Sequence, residues 1–196
     1  MQIMHRVSHE LQGAAFMLRN LLACRRFRIK SMPKAQCRGL TIQGASWTNL
    51  GNIQKLHQEL RQGRRLNPWR LGMLAMVGGR ICTVAVDKNL QVAGLQLLYF
   101  REQEWLQGVI HEAFIGICSE HRAQGTATCL RLHAARHLEQ NSYVRGISSQ
   151  VQTTNTASLR SARKAGFVIQ AEQKPQTAQS GPIAQLYLDL RSIGHA

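Results

Sequence analysis

The sequence feature that most constrains the fold is a strand that passes through a short loop into a long helix. Residues 114–117 are apolar at alternate positions, which predicts a strand, and residues 126–140 carry apolar side chains at helical spacing. The apolar positions of the helix are Ala127, Leu130, Ala134 and Leu138. The first amides of a helix lack carbonyl partners and lie at the positive end of its dipole. This arrangement predicts an anion site that suits a phosphate or a pyrophosphate.

The loop between strand and helix contains Arg122 and Gly125. A glycine lets the backbone approach a ligand closely, and an arginine adds positive charge. Many α/β proteins turn in this way for packing alone, so the loop's composition does not decide between packing and binding. Residues 122–127, Arg-Ala-Gln-Gly-Thr-Ala, resemble the Gln/Arg-x-x-Gly-x-Gly/Ala signature of the GCN5-related N-acetyltransferases, the GNAT superfamily. The resemblance implies that the pyrophosphate of acetyl-CoA is held by Arg122, Ala123, Gln124, Gly125, Thr126 and Ala127.

The composition fits one globular domain with an anionic partner. The chain has 196 residues, 44% of them hydrophobic, which is enough to bury a core. Its 25 Lys and Arg against 10 Asp and Glu give a formal net charge of +15, which favours a cofactor phosphate, nucleic acid, acidic lipid or acidic substrate. Aromatic residues make up 6% and do not alternate with basic ones, which argues against a surface for single-stranded nucleic acid.

The cysteines and the hydropathy pattern predict a cytoplasmic protein without a metal site. The cysteines are odd in number and form no Cys-x-x-Cys pair, which argues against a disulfide framework or a zinc site and is typical of a reducing cytosol. They are Cys24, Cys37, Cys82, Cys118 and Cys129. No apolar run reaches the length of a transmembrane helix, and no secretory signal pattern is present.

Residues 1–35 are predicted to form a basic, helical N-terminal extension of a domain that spans residues 36–196. Apolar residues on one face predict an amphipathic helix over residues 8–26. They are Val7, Leu11, Ala14, Leu18 and Leu21. We favour a helix packed on the domain. A basic surface for membrane or nucleic acid, a transit-like leader, and a true start at Met32 are the alternatives.

The remaining patterns predict a strand, two helices, three strands, a helix, a strand, a helix and two strands. The predicted strands cover residues 40–43, 80–86, 91–100, 111–117, 147–152, 167–169 and 183–190. The second early helix ends at Gly78-Gly79, and the last helix begins at Thr154 or Asn155. This order resembles the GNAT fold, an α/β architecture whose mixed, mostly antiparallel twisted sheet has about seven strands flanked by about four helices.

A second segment carries the same resemblance. Asn155, Ser158, Lys164, Gly166 and Phe167 are similar to the Asn-x-x-Ser/Ala…Lys-x-Gly-Phe segment of the superfamily. The resemblance implies transfer of an acetyl group from acetyl-CoA to an amine. It also implies that backbone amides around Ile115 and Ile117 hold the pantetheine arm, that one of them acts as an oxyanion donor, and that Asn155 contacts the same arm. Asn155 also has a simpler interpretation as a helix cap.

The chain departs from the family at two acid–base positions. The tyrosine that many relatives place seven residues after the asparagine is Ala162 here, and the glutamate that protein N-terminal acetyltransferases often place five residues before it is Gln150. His111 lies where the similar serotonin N-acetyltransferase strand has a histidine, and a neutral imidazole is a suitable base. Glu112 is the second catalytic candidate, although strand alternation directs it to the other face. Direct attack in a ternary complex needs no nucleophile, so Cys118 is interpreted as a packed residue.

Two functional hypotheses follow from the resemblance. The first is an acetyl-CoA-dependent N-acetyltransferase that acts on a small-molecule or protein amine. The second is a GNAT-fold module that binds acyl-CoA with little or no catalysis, as a sensor or a partner subunit. Nucleic-acid binding rests on the net charge alone and is disfavoured. An acceptor with anionic character is favoured by Arg61, Arg64, Arg65 and Arg70. The identity of the acceptor and the oligomeric state stay open, a homodimer included.

Overall fold

The computed structural model describes residues 2–174 and 181–191, except for the side chains of residues 2–9 and 141. The helices are α1 Gln2–Arg26, α2 Leu50–Leu60, α3 Pro68–Ile81, α4 Thr126–Asn141 and α5 Thr156–Lys164. The strands are β1 Ala35–Cys37, β2 Leu40–Gly44, β3 Thr83–Val86, β4 Val92–Tyr99, β5 Val109–Ile117, β6 Gly146–Gln152, β7 Val168–Gln173 and β8 Ile183–Asp189. The order of elements agrees with the predicted one, with one strand added at the start.

The eight strands form one sheet in the order β1-β2-β3-β4-β5-β6-β8-β7. Every neighbouring pair is antiparallel except β5 and β6, which run parallel. The predicted mixed, mostly antiparallel α/β architecture is therefore confirmed. The added strand is β1, which turns into β2 through Arg38 and Gly39, both at positive φ. Its three residues are too few to show a strand pattern in the sequence.

Strand β5 separates two groups of helices. On one side Phe114 packs against His57 of α2, with 5.0 Å between the ring centroids. On the other side Glu112 forms an ion pair with Arg131 of α4. Glu112 and Phe114 would share a face in a regular strand, but the register against β4 shifts between them and Ala113 is an extra residue there. The bulge therefore gives β5 one face toward α2 and α3 and another toward α4 and α5.

Helix α3 was predicted to end at Gly78-Gly79, but it continues to Ile81. A Cβ added to Gly44 of β2 would lie 2.5 Å from the carbonyl oxygen of Gly79, and one added to Gly78 would lie 3.2 Å from the Cβ of Ala45. The glycines thus let the helix approach the strand closely. The prediction was wrong because a glycine pair, which often marks the end of a helix, allows close packing here instead.

Helix α1 packs on the rest of the chain through a face that overlaps the predicted one only in part. Leu11 and Leu18 of the predicted face are 66% and 56% exposed, and the side chain of Val7 lies outside the described residues. Asn20 is buried instead, and its Oδ1 accepts a hydrogen bond from the backbone N–H of Phe100 at 2.8 Å. Leu21 of the predicted face packs against the core, together with Phe16, Met17, Ala23 and Cys24. The packed face therefore includes a polar residue, which hydrophobic spacing alone does not indicate.

The prediction against a disulfide is wrong. Cys37 of β1 and Cys129 of α4 form a disulfide, with 6.4 Å between their Cα atoms. They are 92 residues apart, so their spacing in the sequence gives no sign of the pair. Cys24 and Cys82 are free thiols, and burial raises the pKa of each to about 12. The disulfide ties the edge of the sheet to the first turn of α4.

Residues 2–174 and 181–191 contain no group of three or more His, Cys, Asp or Glu arranged to hold a metal ion. None of the helices in these ranges has the length and hydropathy needed to cross a membrane.

Candidate active site

A groove opens where β5 and β6 separate. The two parallel strands pair only as far as Glu112 and Ser149, although β5 continues to Ile117. The bulge at Ala113 bends β5 at this point. Residues 113–117 therefore present a strand edge without a β6 partner, and the backbone groups on that edge are available to a ligand.

The groove has a volume of about 1040 Å³ and is lined by β5, the loop before α4, β6 and α5. The cationic side chains along it are Arg61, Arg122, Arg160 and Lys164. Glu112 is the only acidic residue among the described lining residues, and Arg131 neutralises its charge. The groove therefore offers a positive potential to an anionic ligand.

The N-terminus of α4 supplies donors to this groove. In the described part of the chain, the backbone N–H groups of residues 123–128 donate to no carbonyl or side chain, and the first bond of the helix runs from Cys129 to Gly125 at 3.0 Å. Gly125 has a φ of 84° and Ala123 a φ of 59°, and this left-handed backbone lets successive amides turn toward one side. The predicted anion loop therefore has the free donors that such a site needs.

Some side chains of the loop hold its shape instead of facing a ligand. Arg122 Nε donates to the carbonyl of Ile117 at 3.1 Å, and Gln124 Nε2 donates to the carbonyl of Glu120 at 2.8 Å. The hydroxyl of Thr126 donates to a loop carbonyl at 3.3 Å. Gln124 is absent from the described lining of the groove, whereas the predicted residues lining it are Arg122, Ala123, Gly125, Thr126 and Ala127.

The other predicted cofactor residues also line the groove. Ile115 and Ile117 lie on the free part of β5, and Asn155 faces them from the start of α5. Asn155 Oδ1 accepts a hydrogen bond from the backbone N–H of Ser158 at 3.1 Å, so the predicted helix cap is confirmed. The cap occupies one acceptor of the side chain and leaves its amide N–H₂ free to donate.

Glu112 is buried at the bottom of the groove and is fully hydrogen-bonded. Its Oε1 accepts from Arg131 Nη2 at 2.6 Å and from Ser149 Oγ at 2.9 Å. Its Oε2 accepts from Arg131 Nε at 2.9 Å and from Gln96 Nε2 at 2.8 Å. Burial alone would raise the pKa of Glu112, but the charge of Arg131 and these hydrogen bonds hold it below its ordinary value. The carboxylate joins β4, β5, β6 and α4 and stays ionised.

Arg131 was missed by the sequence analysis. It is fully buried, and beyond Glu112 it donates through Nη1 to the carbonyl of Ser158 at 3.0 Å and to Ser161 Oγ. The guanidinium therefore fixes α5 against α4 at the wall of the groove. Arginines in helices are mostly exposed, and no residue near Arg131 in the sequence indicates that this one is buried.

His111 lies on the opposite face of β5 from Glu112, as strand alternation predicted, and does not line the groove. Its Nδ1 pairs with Ser148 Oγ at 2.9 Å, its Nε2 contacts Arg101, and its ring lies 5.9 Å from that of Tyr99. Burial and the charge of Arg101 lower the pKa of His111 to about 3. The imidazole is therefore neutral near pH 7 but a weak base.

A second, smaller pocket lies on the α2 and α3 face of β5. Its polar lining residues are His57, Arg61, Arg70 and Tyr99. Arg61 and Phe114 line both this pocket and the large groove, so the two cavities adjoin where β5 separates from β6. The pocket has a volume of about 20 Å³, room for about one water molecule.

Comparison with solved structures identifies this architecture. The ribosomal-protein-S5-alanine acetyltransferase of Vibrio fischeri superposes with a TM-score of 0.67 at 14% identity, covering 82% of this chain and 98% of that one. The chain has the GNAT fold. The GNAT superfamily phosphinothricin acetyltransferase of Sinorhizobium meliloti, solved with AcCoA, gives a TM-score of 0.63 at 16% identity over 77% of this chain and 88% of that one. A GNAT-family acetyltransferase of Streptococcus pneumoniae gives a TM-score of 0.62 at 15% identity, covering 76% of this chain and 98% of that one.

These likenesses are structural, since the identities are low. No protein-family model matches the chain. No curated protein matches it in sequence either. The GNAT resemblance inferred from two short motifs is confirmed as a fold.

The two departures from the GNAT acid–base pattern have clear structural settings. Ala162 lies fully buried on one face of α5. Gln150 accepts from Arg101 Nη2 at 3.2 Å and donates to Gln185 Oε1 at 3.3 Å. Cys118 is half-buried and its pKa is raised, mainly by burial, which agrees with a packed residue. None of the tyrosines lies among the described residues that line the groove.

Proposed function

We propose that this chain is an acetyl-CoA-dependent N-acetyltransferase that transfers an acetyl group to an amine by direct attack in a ternary complex. The observation that carries the proposal is the run of free amides at residues 123–128, placed beside the free edge of β5 in one cationic groove. A diphosphate and an amide-containing arm need these two features side by side.

The residues present fit CoA. The amides of residues 123–127 would hold its pyrophosphate at the positive end of α4, with Arg122 and Lys164 as nearby cations. The backbone at Ile115 and Ile117 would pair with the amides of the pantetheine arm, much as an added strand pairs with a sheet edge. The side-chain N–H₂ of Asn155 is free to donate to the same arm.

Bound acetyl-CoA would supply the thioester whose acetyl group is transferred. The chain itself positions the two reactants on opposite faces of β5, and this pre-organisation supplies a large part of the rate. A backbone N–H on the free edge of β5 stabilises the oxyanion that forms during attack. Because attack is direct, Cys118 forms no covalent bond.

The two predicted catalytic residues have different parts in this proposal. Glu112 is a positioning residue, because all its hydrogen bonds hold β4, β5, β6 and α4 together and none is free for substrate. His111 lies outside the groove behind Arg101, and its lowered pKa makes it a weak base. We therefore assign the role of proton acceptor to neither Glu112 nor His111.

A second candidate function is an acyl-CoA-binding module with little or no catalysis. It is favoured by the carboxylate of Glu112, which is fully engaged, and by Ala162, which stands buried at the position of the expected tyrosine. Both functions require the same cofactor groove, so cofactor binding alone does not separate them. A cytoplasmic location and a homodimer remain predictions under either function.

The experiment that tests the proposed function combines binding and turnover. Calorimetric titration of the purified full chain with CoA is expected to show binding at one site. Release of free CoA thiol from acetyl-CoA is then followed with a panel of amines, and release that depends on an amine is the expected result. Binding without release for any amine would support the non-catalytic module, and absence of CoA binding would contradict both functions.

A further inference from the structure

Helix α1 is apolar on two opposite faces. Asn20 and Ala23 are buried against the rest of the chain, whereas Leu11, Leu18 and Leu22 are 66%, 56% and 45% exposed. Since a helix turns by about 100° per residue, the three leucines lie within about 40° of one another around its axis, and Asn20 lies on the opposite side. The leucines therefore form a second apolar face, which the described part of the chain leaves exposed.

This leucine face, defined by Leu11, Leu18 and Leu22, is continuous along the helix. Ala14 and Ala15 lie on the same side between the leucines and are also exposed. From its first leucine to its last the face is about 16 Å long. A single exposed leucine is ordinary in a folded protein, but a contiguous apolar face on a helix is typical of a contact surface.

The leucine face ends in a group of exposed cations. Arg25 and Arg26 lie in the last turn of α1, and Arg28, Lys30 and Lys34 follow it in the chain. None of these side chains forms an ion pair with another described residue. Residues 11–34 contain no acidic residue. The surface thus combines apolar side chains with positive charge that is not neutralised locally.

Two aromatic rings lie beside these cations. Arg26 Cζ lies 5.6 Å from the ring centroid of Trp105, and Arg28 Cζ lies 5.7 Å from that of Tyr143. The side chain of Tyr143 is 64% exposed. Tryptophan and tyrosine favour the headgroup level of a bilayer, because each has an apolar ring and a polar group. The rings therefore add side chains that suit a boundary between water and lipid.

We propose that the leucine face and the cations that follow it bind the surface of an anionic membrane. The leucines enter the boundary between headgroups and acyl chains, and Arg25, Arg26 and Arg28 pair with lipid phosphates and carboxylates. Helix α1 then lies along the membrane surface. None of these residues is among the described residues that line the cofactor groove, so the proposal does not depend on the proposed function.

Two other partners fit this surface less well. Nucleic acid would pair with the cations but leave the leucines exposed to water, because its backbone offers charge alone. A second copy of the chain would bring another net charge of +15 to a surface whose segment, residues 11–34, has no acidic residue. An anionic bilayer supplies both an apolar layer and negative charge.

The test compares vesicles that differ only in charge. The purified full chain is sedimented with vesicles of phosphatidylcholine, and with vesicles of phosphatidylcholine and phosphatidylserine in equal parts. The partition coefficient is expected to be at least about tenfold larger for the anionic vesicles, because each cation near an anionic surface favours binding. Equal partition with both kinds of vesicle, or no sedimentation with the anionic ones, would overturn the proposal.

A double variant tests the apolar part of the surface. Leu18→Gln with Leu22→Gln keeps every charge and is expected to lower the partition coefficient for anionic vesicles by about tenfold or more. The matched control is Leu90→Gln with Val168→Gln, which changes exposed apolar residues of the β3–β4 turn and of β7 and should leave partition unchanged. Urea unfolding reports that each variant folds. Equal partition of the two double variants would contradict the proposal.

A second double variant tests the charge. Arg25→Gln with Arg26→Gln is also expected to lower the partition coefficient by about tenfold or more. Its control is Arg64→Gln with Arg65→Gln, two exposed arginines after α2. Partition that falls equally in this control would show that net charge, and not this surface, causes the binding, and would overturn the proposal.

The same variants separate the membrane from the other partners. Tight binding of duplex DNA that Arg25→Gln with Arg26→Gln abolishes, without a preference for anionic vesicles, would make the surface a nucleic-acid site. A dimer in light scattering that Leu18→Gln with Leu22→Gln converts to a monomer would make it an interface between copies of the chain. Either result would overturn the proposal, whereas loss of CoA binding would contradict the proposed function alone.

Discussion

The two faces of β5 carry charge in opposite ways: the pair on the α4 face is buried, whereas Arg61 on the α2 face is exposed and Arg70 is half-buried. On the α4 face, Glu112 and Arg131 neutralise each other and satisfy every hydrogen bond within reach. On the α2 face, Arg61 and Arg70 lie over aromatic rings and have no carboxylate partner in the described chain. A satisfied ion pair holds elements together, whereas an unpaired cation is available to a ligand. The comparison separates residues that build the site from residues that use it.

The largest effect is expected from Arg131→Met, which leaves the Glu112 carboxylate buried without its partner. Such a loss costs about 3–5 kcal/mol of unfolding free energy. Urea unfolding of the variant and the unaltered chain measures it. The matched control is the double variant Glu112→Gln, Arg131→Met, which removes both charges and should recover part of the loss. A single variant as stable as the unaltered chain would show that the pair does not hold the fold.

The second effect concerns the cofactor groove itself. Ala127→Glu places a carboxylate among the free amides at the start of α4, where it suits the helix but repels a diphosphate. The Kd for CoA is expected to rise by about a hundredfold while stability is unchanged or slightly higher. Ala75→Glu, the same change at an exposed position of α3, is the control in the calorimetric titration. Similar Kd values for both variants would place the diphosphate elsewhere.

A third, smaller effect is the pH dependence of stability. The folded pKa of His111 is about 3 against an ordinary 6.5, so between these values only the unfolded chain binds the proton. Stability therefore falls as the pH drops from about 6.5 toward about 3, and Glu112, whose folded pKa is also lowered, adds a further loss below about 4.5. In His111→Gln the fall between pH 6.5 and 5 should be smaller by about 1–2 kcal/mol. Urea unfolding at each pH checks this, and an unchanged slope would contradict it.

The smallest effect is expected for the stability of a variant on the α2 face. Arg70→Gln removes an unpaired cation and one contact with Tyr99, so the unfolding free energy should change by about 0.5 kcal/mol or less. The same urea unfolding measures it beside Arg131→Met. If Arg70→Gln were as destabilising as Arg131→Met, the pocket arginine would be a structural residue and the contrast between the faces would disappear.

The sequence predicted those parts of the site whose residues are all close together in the chain. The loop at residues 122–127 and the cap at Asn155 depend on short-range chemistry, and the structure places both on the groove. The bulge at Ala113, which opens the groove, leaves no mark in the sequence, because register depends on the neighbouring strand. The role of the backbone at Ile115 and Ile117 in holding the pantetheine arm was predicted only from the family resemblance.

Long-range pairing explains what the sequence did not reveal. From its sequence neighbours Arg131 is expected at the surface, but in the fold it is buried against Glu112, 19 positions away. The Cys37–Cys129 disulfide joins residues 92 apart. Asn20 lies on the packed face of α1, where it accepts a hydrogen bond from the backbone N–H of Phe100, 80 residues later. Each case is a polar or covalent contact whose partner is set by the fold, and no periodicity can indicate it.

The most direct test of the account is a calorimetric comparison of CoA with pantetheine, which lacks the diphosphate and the nucleotide. If the free amides of residues 123–128 hold the diphosphate, CoA should bind at least about a hundredfold more tightly than pantetheine. Ala127→Glu should remove most of that difference. Equal affinity for the two ligands, or a difference that survives Ala127→Glu, would contradict the central claim.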